Sequence, residues 1–178
     1  MSSFLPDKSA RPIDTTSAVE FVDAPTHPDV KALFDYWNSK RGDRAMPDRA
    51  DINPSDLVRL LPSLGIIEAI EGGRDFRFRL YGSVLVDQTG IDRTGELFSE
   101  LEPAPHSQLS AAETRKRWLD VAQLALAAAR PVFVTMKLVA TDHTRRTAHA
   151  AVLPMTAGGE TVAQFLGGSF TAEMPPER

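Results

Sequence analysis

Hydrophobic and polar residues alternate over residues 75–81, where the chain reads DFRFRLY. Phe76, Phe78 and Leu80 alternate with two arginines and a tyrosine, and this period of two places the two sets of side chains on opposite faces of a β-strand. The pattern stops at Gly82, and a short helical run with two Thr-Gly pairs follows. We therefore expect a strand that leads into a compact crossover over residues 82–101.

Four other segments have the composition of strands. LGIIEAIE precedes the first pattern and is joined to it through Gly72-Gly73, which predicts a hairpin. The segments VFVTMKLVAT, RTAHAAVLPM and TVAQFLGGSF follow one another across the short links DHTR and AGGE. They predict a meander of three strands.

Two segments with helical signals precede the strands. In HPDVKALFDYWNSKRG the apolar residues Val30, Leu33, Phe34 and Trp37 fall at i, i+3, i+4 and i+7, on one helical face. NPSDLVRLL starts with Asn53, a good N-cap, followed by a proline at the first helical position. Both segments are expected to be helical.

The longest predicted helix begins after Ser110, which can form a capping box with Glu113. Its apolar stripe includes Trp118 and Val121, and it ends before Pro131. The order of elements predicts an α+β domain with a five-stranded antiparallel sheet and helices packed on it. We assign residues 1–25 to a flexible N-terminal arm, 26–172 to the domain and 173–178 to a C-terminal tail.

Composition excludes several classes of protein. A chain of 178 residues fits one domain, and its net charge of −4, without a basic cluster, argues against nucleic-acid binding. The absence of cysteine excludes disulfides, thiol catalysis and cysteine-based zinc sites. No segment resembles a signal peptide or approaches the roughly 20 apolar residues of a membrane helix, so we expect a cytoplasmic protein without membrane contact.

Two long stretches resemble a PAS-like family of sensory domains that is common in alphaproteobacteria. The first contains Trp37, Arg44, Pro47, Arg49, Asp51, Ile52, Pro54, Leu61, Pro62 and Leu64, and the second Arg79, Leu80, Gly82, Leu85, Gly90, Thr94 and Gly95. The resemblance covers about residues 27–172 and implies a fold that either holds a small molecule or cofactor between sheet and crossover helices, or serves as a dimerisation or partner module. Tyr81 departs from the family, which more often has a small residue there, so its ring either fills part of the cavity or offers a hydroxyl to a ligand.

We predict a sensory module that binds a small ligand of unknown identity and passes its state to a signalling partner protein. The crossover over residues 82–101 is the expected moving element, and no cofactor is specified. The predicted cavity wall consists of Phe78, Leu80, Tyr81, Leu85, Leu97, Trp118, Met136 and His149. Polar groups that could orient a ligand are Tyr81, Gln88, Arg79 and His149.

Two other functions are compatible with the sequence. A ligand-free interaction module would fill the cavity with its own aromatic side chains. A small enzyme would need a paired acid and base, for instance a buried carboxylate or His149, and the apolar strand faces offer few such groups. The sequence therefore favours a domain that is not an enzyme. The stripe of Val30, Leu33, Phe34 and Trp37 either covers the sheet or forms a homodimer contact.

Other motifs indicate structural roles. Beside or within residues 47–54, Arg44 or Arg49 could hold an anion, but two prolines and a pairing of Asp51 with an arginine favour a purely structural connection. The segment DQTG is not the Asp-Thr-Gly motif of aspartic proteases, because Gln88 separates Asp87 from Thr89. The histidines at 27, 106, 143 and 149 are scattered, which argues against a metal or haem site. Gly167-Gly168 makes room for either a ligand or a neighbouring helix.

Overall fold

In a computed structural model of the protein, the described residues are 13–14, 19–105, 107–140 and 145–173. Within these ranges seven strands form one antiparallel sheet. The strands are β1 (Ile13–Asp14), β2 (Glu20–Val22), β3 (Leu64–Ile70), β4 (Asp75–Tyr81), β5 (Val132–Ala140), β6 (Arg145–Met155) and β7 (Gln164–Glu173). The α-helices are α1 (Pro28–Arg41), α2 (Ser83–Thr89) and α3 (Ala111–Ala128).

The sheet has the order β5-β6-β7-β3-β4, and β1 and β2 both pair with the outer edge of β5. The hairpin β3–β4 and the meander β5–β6–β7 are the arrangement expected from the sequence, so the predicted α+β class with its five antiparallel strands is confirmed. Pairing of β3 with β7 joins the two groups of strands into one sheet.

Two short strands revise the predicted N-terminal arm. Glu20–Val22 pairs with β5, with Phe21 opposite Val134, and Ile13–Asp14 pairs with its far end. These residues belong to the sheet because an exposed edge offers unpaired main-chain groups to any extended segment. Residues 1–12, 15–18 and 174–178, the rest of the predicted arm and most of the predicted tail, lie outside the described residues.

The two predicted long helices are both present, and each is capped at its N-terminus. The side chain of His27 accepts a hydrogen bond from the Asp29 amide at the start of α1, and Gly42 follows its end at φ 57°. Ser110 and Glu113 form the expected capping box of α3. The segment after Asn53 instead forms two 3₁₀ helices, Pro54–Leu57 and Leu61–Ser63. Pro62 lacks the amide that a continuous helix would need to bond the Val58 carbonyl, so the segment does not continue as one α-helix.

Helix α1 covers one face of the sheet. Val30, Leu33 and Trp37 are buried there, and Trp37 Nε1 donates a 2.8 Å hydrogen bond to the Pro154 carbonyl. Phe34 is half-buried, with its ring perpendicular to that of Phe133 at 5.4 Å. The stripe therefore covers the chain's own sheet, the first of its two interpretations, and three of the four residues considered for a homodimer contact lie in the core.

The opposite face of the sheet carries α3 and the crossover. Buried residues of this second core come from β4, from the 3₁₀ helix Phe98–Glu100 and from α3, and include Phe76, Phe98 and Ala125. None of the helices in the described part of the chain is long and apolar enough to cross a membrane. The sheet thus separates two cores, and the second one encloses a cavity.

The connection before β3 is held by its own side chains. Arg44 forms an ion pair with Asp51 at 2.8 Å, and Asp51 accepts a hydrogen bond from the Asp48 amide at 2.8 Å. Asp48 in turn accepts hydrogen bonds from Thr156 and Gly158, which ties the connection to the β6–β7 link. These contacts support the structural interpretation of residues 47–54.

Candidate functional site

A cavity of about 200 Å³ lies between the sheet and helices α2 and α3. Its floor is the centre of the sheet, where the residues are small. Gly65 of β3 pairs with Gly167 of β7, and in the neighbouring row Ala150 of β6 pairs with Ser169. Because these positions lack large side chains, the helices span an open space above them.

Bulkier side chains of the flanking strands and of α3 form the wall. Phe78 packs edge-on against Trp118 at 5.1 Å between ring centroids and against Tyr81 at 5.1 Å. Val134 and Met136 of β5 line the opposite side. The wall is therefore mostly apolar, and Phe78 fixes the positions of the two other rings.

Tyr81 brings a hydroxyl into this apolar wall. Its Oη donates to Thr89 Oγ1 at 3.4 Å, and Thr89 Oγ1 donates to the Leu85 carbonyl at 2.8 Å. Burial raises the pKa of Tyr81, although Thr89 and Arg93 nearby act in the opposite direction. The phenol is thus neutral at physiological pH and can donate or accept a hydrogen bond.

Arg93 is a buried cation at the cavity, and its side chain is held by two acceptors. Its Nη1 contacts Glu96 Oε2 at 3.1 Å, and its Nη2 donates to the Glu102 carbonyl at 2.8 Å. The sequence analysis did not select this residue. Arg93 and Glu96 are three residues apart in the crossover, and this spacing is the sequence signal from which their ion pair could have been predicted.

Helix α3 contributes two further polar groups that were not predicted. Thr114 is 5% exposed, and its Oγ1 has no hydrogen-bond partner among the described residues. Arg117 lies one turn later, with Nη1 3.2 Å from Met136 Sδ. Burial lowers the pKa of Arg117, and Glu113 acts against this shift. Four residues of α3 are spaced at i, i+3, i+4 and i+7 and therefore lie on one helical face: Thr114, Arg117, Trp118 and Val121. This spacing is visible in the sequence and could have indicated the two polar groups.

A family model described as PAS domain matches residues 25–169. The chain belongs to the PAS domain family. Members of this family are sensory and signalling modules, and the antiparallel sheet with its helical crossover is the fold that the resemblance implied. No curated protein matches the chain.

Six of the predicted site residues line this PAS cavity. They are Phe78, Tyr81, Leu85, Gln88, Trp118 and Met136. The two helices and both flanking strands of the cavity are represented in this set. Arg79, Leu80, Leu97 and His149, which were also predicted to line it, lie elsewhere, and their positions have separate physical causes.

A β-bulge turns Leu80 away from the PAS cavity, and Arg79 lies with Arg77 on the face opposite Phe78. Ile66 pairs with Leu80 but Ile67 pairs with Phe78, which leaves Arg79 as an extra residue on β4. The extra residue reverses the alternation, so Leu80 is 43% exposed while Tyr81 is buried on the cavity side. Arg79 instead pairs with Glu68 at 3.3 Å.

His149 lies on the face of the sheet that carries α1. Its ring is 5.4 Å from that of His27, which stacks on Phe170. His149 Nδ1 is 2.6 Å from Thr26 Oγ1, and burial together with the charge of His27 lowers its pKa. Strand alternation explains the position, since Ala148 and Ala150 on either side of His149 face the PAS cavity.

Leu97 forms an isolated bridge with Arg77 at the outer edge of β4.

Among the described residues no group of three or more His, Cys, Asp or Glu side chains is placed to hold a metal ion. His106 and His143 lie outside the described residues. The PAS cavity is therefore the place where polar and apolar groups converge in the part of the chain described.

Proposed function

We propose that this PAS domain is a cytoplasmic sensory module, and not an enzyme, that binds a small ligand in the cavity and relays its state to a partner protein. The cavity of about 200 Å³ carries the proposal. An apolar cavity of about 150 Å³ is large enough to bind benzene. A mostly apolar wall with a few polar groups is typical of small-molecule sites.

The open floor favours a ligand over the alternative of a ligand-free interaction module. That alternative requires the aromatic side chains of the chain to occupy the space. Phe78 and Trp118 pack against each other at the wall, and the space remains above Ala150 and Gly167. A PAS module without a ligand would gain stability from larger side chains at these two positions, because empty space in a core forfeits packing contacts.

Helix α2 is the element through which a ligand would act. Leu85 and Gln88 of this helix line the cavity, so a bound molecule contacts α2 directly. The later part of the crossover is tied to β4, because the Phe78 amide donates to the Glu96 carbonyl and the Gly95 amide to the Phe78 carbonyl. A ligand signals only if it binds one conformation better than another. We therefore propose that α2 moves on ligand binding, and not the whole crossover over residues 82–101.

Native mass spectrometry of the purified protein, before and after denaturation, tests this function. We expect an excess mass that is lost on denaturation. Ala150→Leu should abolish it because a larger side chain on the floor occupies the cavity. Ala127→Leu adds the same atoms at an exposed position of α3 and should retain the excess mass.

The same spectra distinguish the two functions. A bare wild-type chain that forms a complex of fixed size with itself or with a partner would support the interaction module instead. If the excess mass is present, hydrogen exchange of the α2 amides with and without the released compound should show protection by the ligand. Equal exchange in both states would contradict a relay through α2.

A further inference from the structure

The charged side chains at the cavity wall already have partners within the protein. Arg93 contacts Glu96 and the Glu102 carbonyl. Arg117 contacts Met136 Sδ and takes part in a further interaction. Among the described residues no other charged side chain lines the cavity. A charged ligand would therefore meet no unengaged counter-charge in this part of the chain, and because a buried charge without a partner is strongly unfavourable, the cavity suits a neutral molecule.

Thr114 supplies a neutral polar group that lacks a partner. It is 5% exposed and lines the cavity, and its Oγ1 has no hydrogen-bond partner among the described residues. Hydroxyl groups that are shielded from water are normally hydrogen-bonded, because leaving one unpaired is unfavourable. Since a hydroxyl both donates and accepts, a polar group on a ligand would satisfy Thr114 in either direction.

Tyr81 adds an acceptor to the same cavity. The Thr89 hydroxyl has a single hydrogen, which is directed to the carbonyls of Leu85 and Ile91 at 2.8 and 3.1 Å. The 3.4 Å contact between Tyr81 Oη and Thr89 Oγ1 is therefore made with the hydrogen of Tyr81. Arg93 also acts on this phenol, but a hydroxyl oxygen has two lone pairs. The oxygen of Tyr81 can thus accept a hydrogen bond from a donor on a ligand.

The size and surface of the cavity limit the rest of the ligand. Scaled from the benzene-binding cavity of about 150 Å³, a cavity of about 200 Å³ suits roughly eight non-hydrogen atoms. The floor of Gly65, Ala150 and Gly167 and the rings of Phe78 and Trp118 offer apolar contacts. A single ring with one small substituent fits such a space, and a long chain exceeds it.

We propose that the cavity binds a small neutral hydroxy compound, a phenol or a cyclic alcohol, whose hydroxyl group forms a hydrogen bond with Thr114 Oγ1. This inference rests on the proposed function, because it names the ligand class of the same cavity. A ligand carbonyl would only accept from Thr114, whereas a hydroxyl also supplies the donor that the oxygen of Tyr81 can accept. Trp118 lies one turn after Thr114 on the same face of α3 and offers its ring to the apolar part of the ligand.

Isothermal titration calorimetry at pH 7 with phenol, toluene and benzoate tests the proposal. Toluene has the shape of phenol with a methyl group in place of the hydroxyl, and benzoate adds a negative charge. We expect the protein, freed of any carried compound, to bind phenol at least as tightly as toluene, although phenol gives up more hydration on entering the cavity. Benzoate should bind at least about tenfold more weakly than phenol, because its charge finds no unengaged partner.

Three variants locate the hydroxyl group. Thr114→Val keeps the shape of the side chain and removes its hydroxyl. It should weaken phenol binding at least about tenfold and leave toluene binding within about twofold, since only a hydrogen bond is lost. Thr114→Ser retains the hydroxyl and should retain the preference for phenol. Thr161→Val removes the same group at an exposed position between β6 and β7 and serves as the matched control.

Toluene binding that is much tighter than phenol binding would overturn the hydroxyl assignment while leaving a ligand-binding cavity. Benzoate binding as tight as that of phenol would overturn the neutral class, and phenol binding unchanged by Thr114→Val would overturn the role of this residue. If no probe binds, the ligand class is overturned, and the native mass spectrum of the same preparation decides whether the proposed function fails with it. An excess mass in that spectrum retains the function, and a bare chain removes both.

Discussion

Gly168 lies so close to Leu33 that a Cβ atom at residue 168 would be 2.6 Å from Leu33 Cδ2. The same Cβ would be 3.0 Å from Leu64 Cδ2. On the neighbouring Gly167 a Cβ would be 3.6 Å from its nearest neighbour, the Gly65 carbonyl, which is an ordinary contact. The two glycines therefore serve opposite faces of β7: Gly168 admits α1, and Gly167 leaves the cavity floor open.

Alanine at these two positions should have different effects. Gly168→Ala should lower the free energy of unfolding by about 1–3 kcal/mol, because the added methyl group overpacks the contact between β7 and α1. Gly167→Ala should change it by less than about 1 kcal/mol, since the methyl group meets no close neighbour. Urea unfolding of both variants at 25 °C measures the difference, and equal losses would contradict the assignment of one glycine to each face.

The bulge in β4 makes a second pair of substitutions informative. Phe78→Ala should cost about 3–5 kcal/mol, because a buried ring that contacts Tyr81 and Trp118 is removed. Leu80→Ala should cost less than about 1 kcal/mol, because this side chain is turned to solvent. Thermal and urea unfolding measure both, and a loss at Leu80 as large as that at Phe78 would show that both side chains face the same core.

The contrast between Phe78 and Leu80 also shows which features of the fold could be predicted from the sequence. Periodicity and caps predicted α1, α3 and the five long strands, because each signal acts within a single element. A bulge is different, since the extra residue Arg79 is defined only by the register of β3 against β4. The alternation in DFRFRLY contains no sign of the bulge, and the prediction therefore placed Leu80 in the cavity wall together with Tyr81.

The polar groups of the site were harder to predict than its apolar wall. Phe78, Trp118 and Met136 could be selected because large apolar residues at regular spacing face a core. Arg93 is buried only because Glu96 and the Glu102 carbonyl meet it in the folded crossover. Thr114 resembles any other helical threonine until the helix is placed over the cavity. Burial of a polar group is a tertiary property, and local patterns do not encode it.

Arg93 provides a third prediction. Arg93→Met should lower the free energy of unfolding by about 2–4 kcal/mol, because Glu96 and the Glu102 carbonyl each lose a charged donor. Arg74→Met is the matched control, since Arg74 is exposed and lies 3.6 Å from Glu71. It should change stability by no more than about 0.5 kcal/mol. Similar losses in both variants, measured by urea unfolding, would argue against a structural role of the buried guanidinium.

Asp48 predicts a specific dependence of stability on pH. Hydrogen bonds from the Gly158 and Ala50 amides and from the Thr156 hydroxyl lower the pKa of Asp48 below its ordinary value of 3.8. A carboxyl group whose pKa is lower in the folded than in the unfolded state stabilises the protein above the unfolded pKa. That contribution is lost as the pH falls from about 3.8 through the lower folded pKa. Asp48→Asn should therefore be less stable than the wild type at pH 7 and should approach it in strong acid.

Urea unfolding at a series of pH values between 7 and 2.5 measures this difference. Asp43→Asn, which alters an exposed carboxyl group in the same connection, controls for the loss of one negative charge. The gap between wild type and Asp48→Asn should be constant from pH 7 to about pH 5 and should narrow below the unfolded pKa of 3.8. A gap that stays constant down to pH 2.5 would mean that the hydrogen bonds to Asp48 do not depend on its charge.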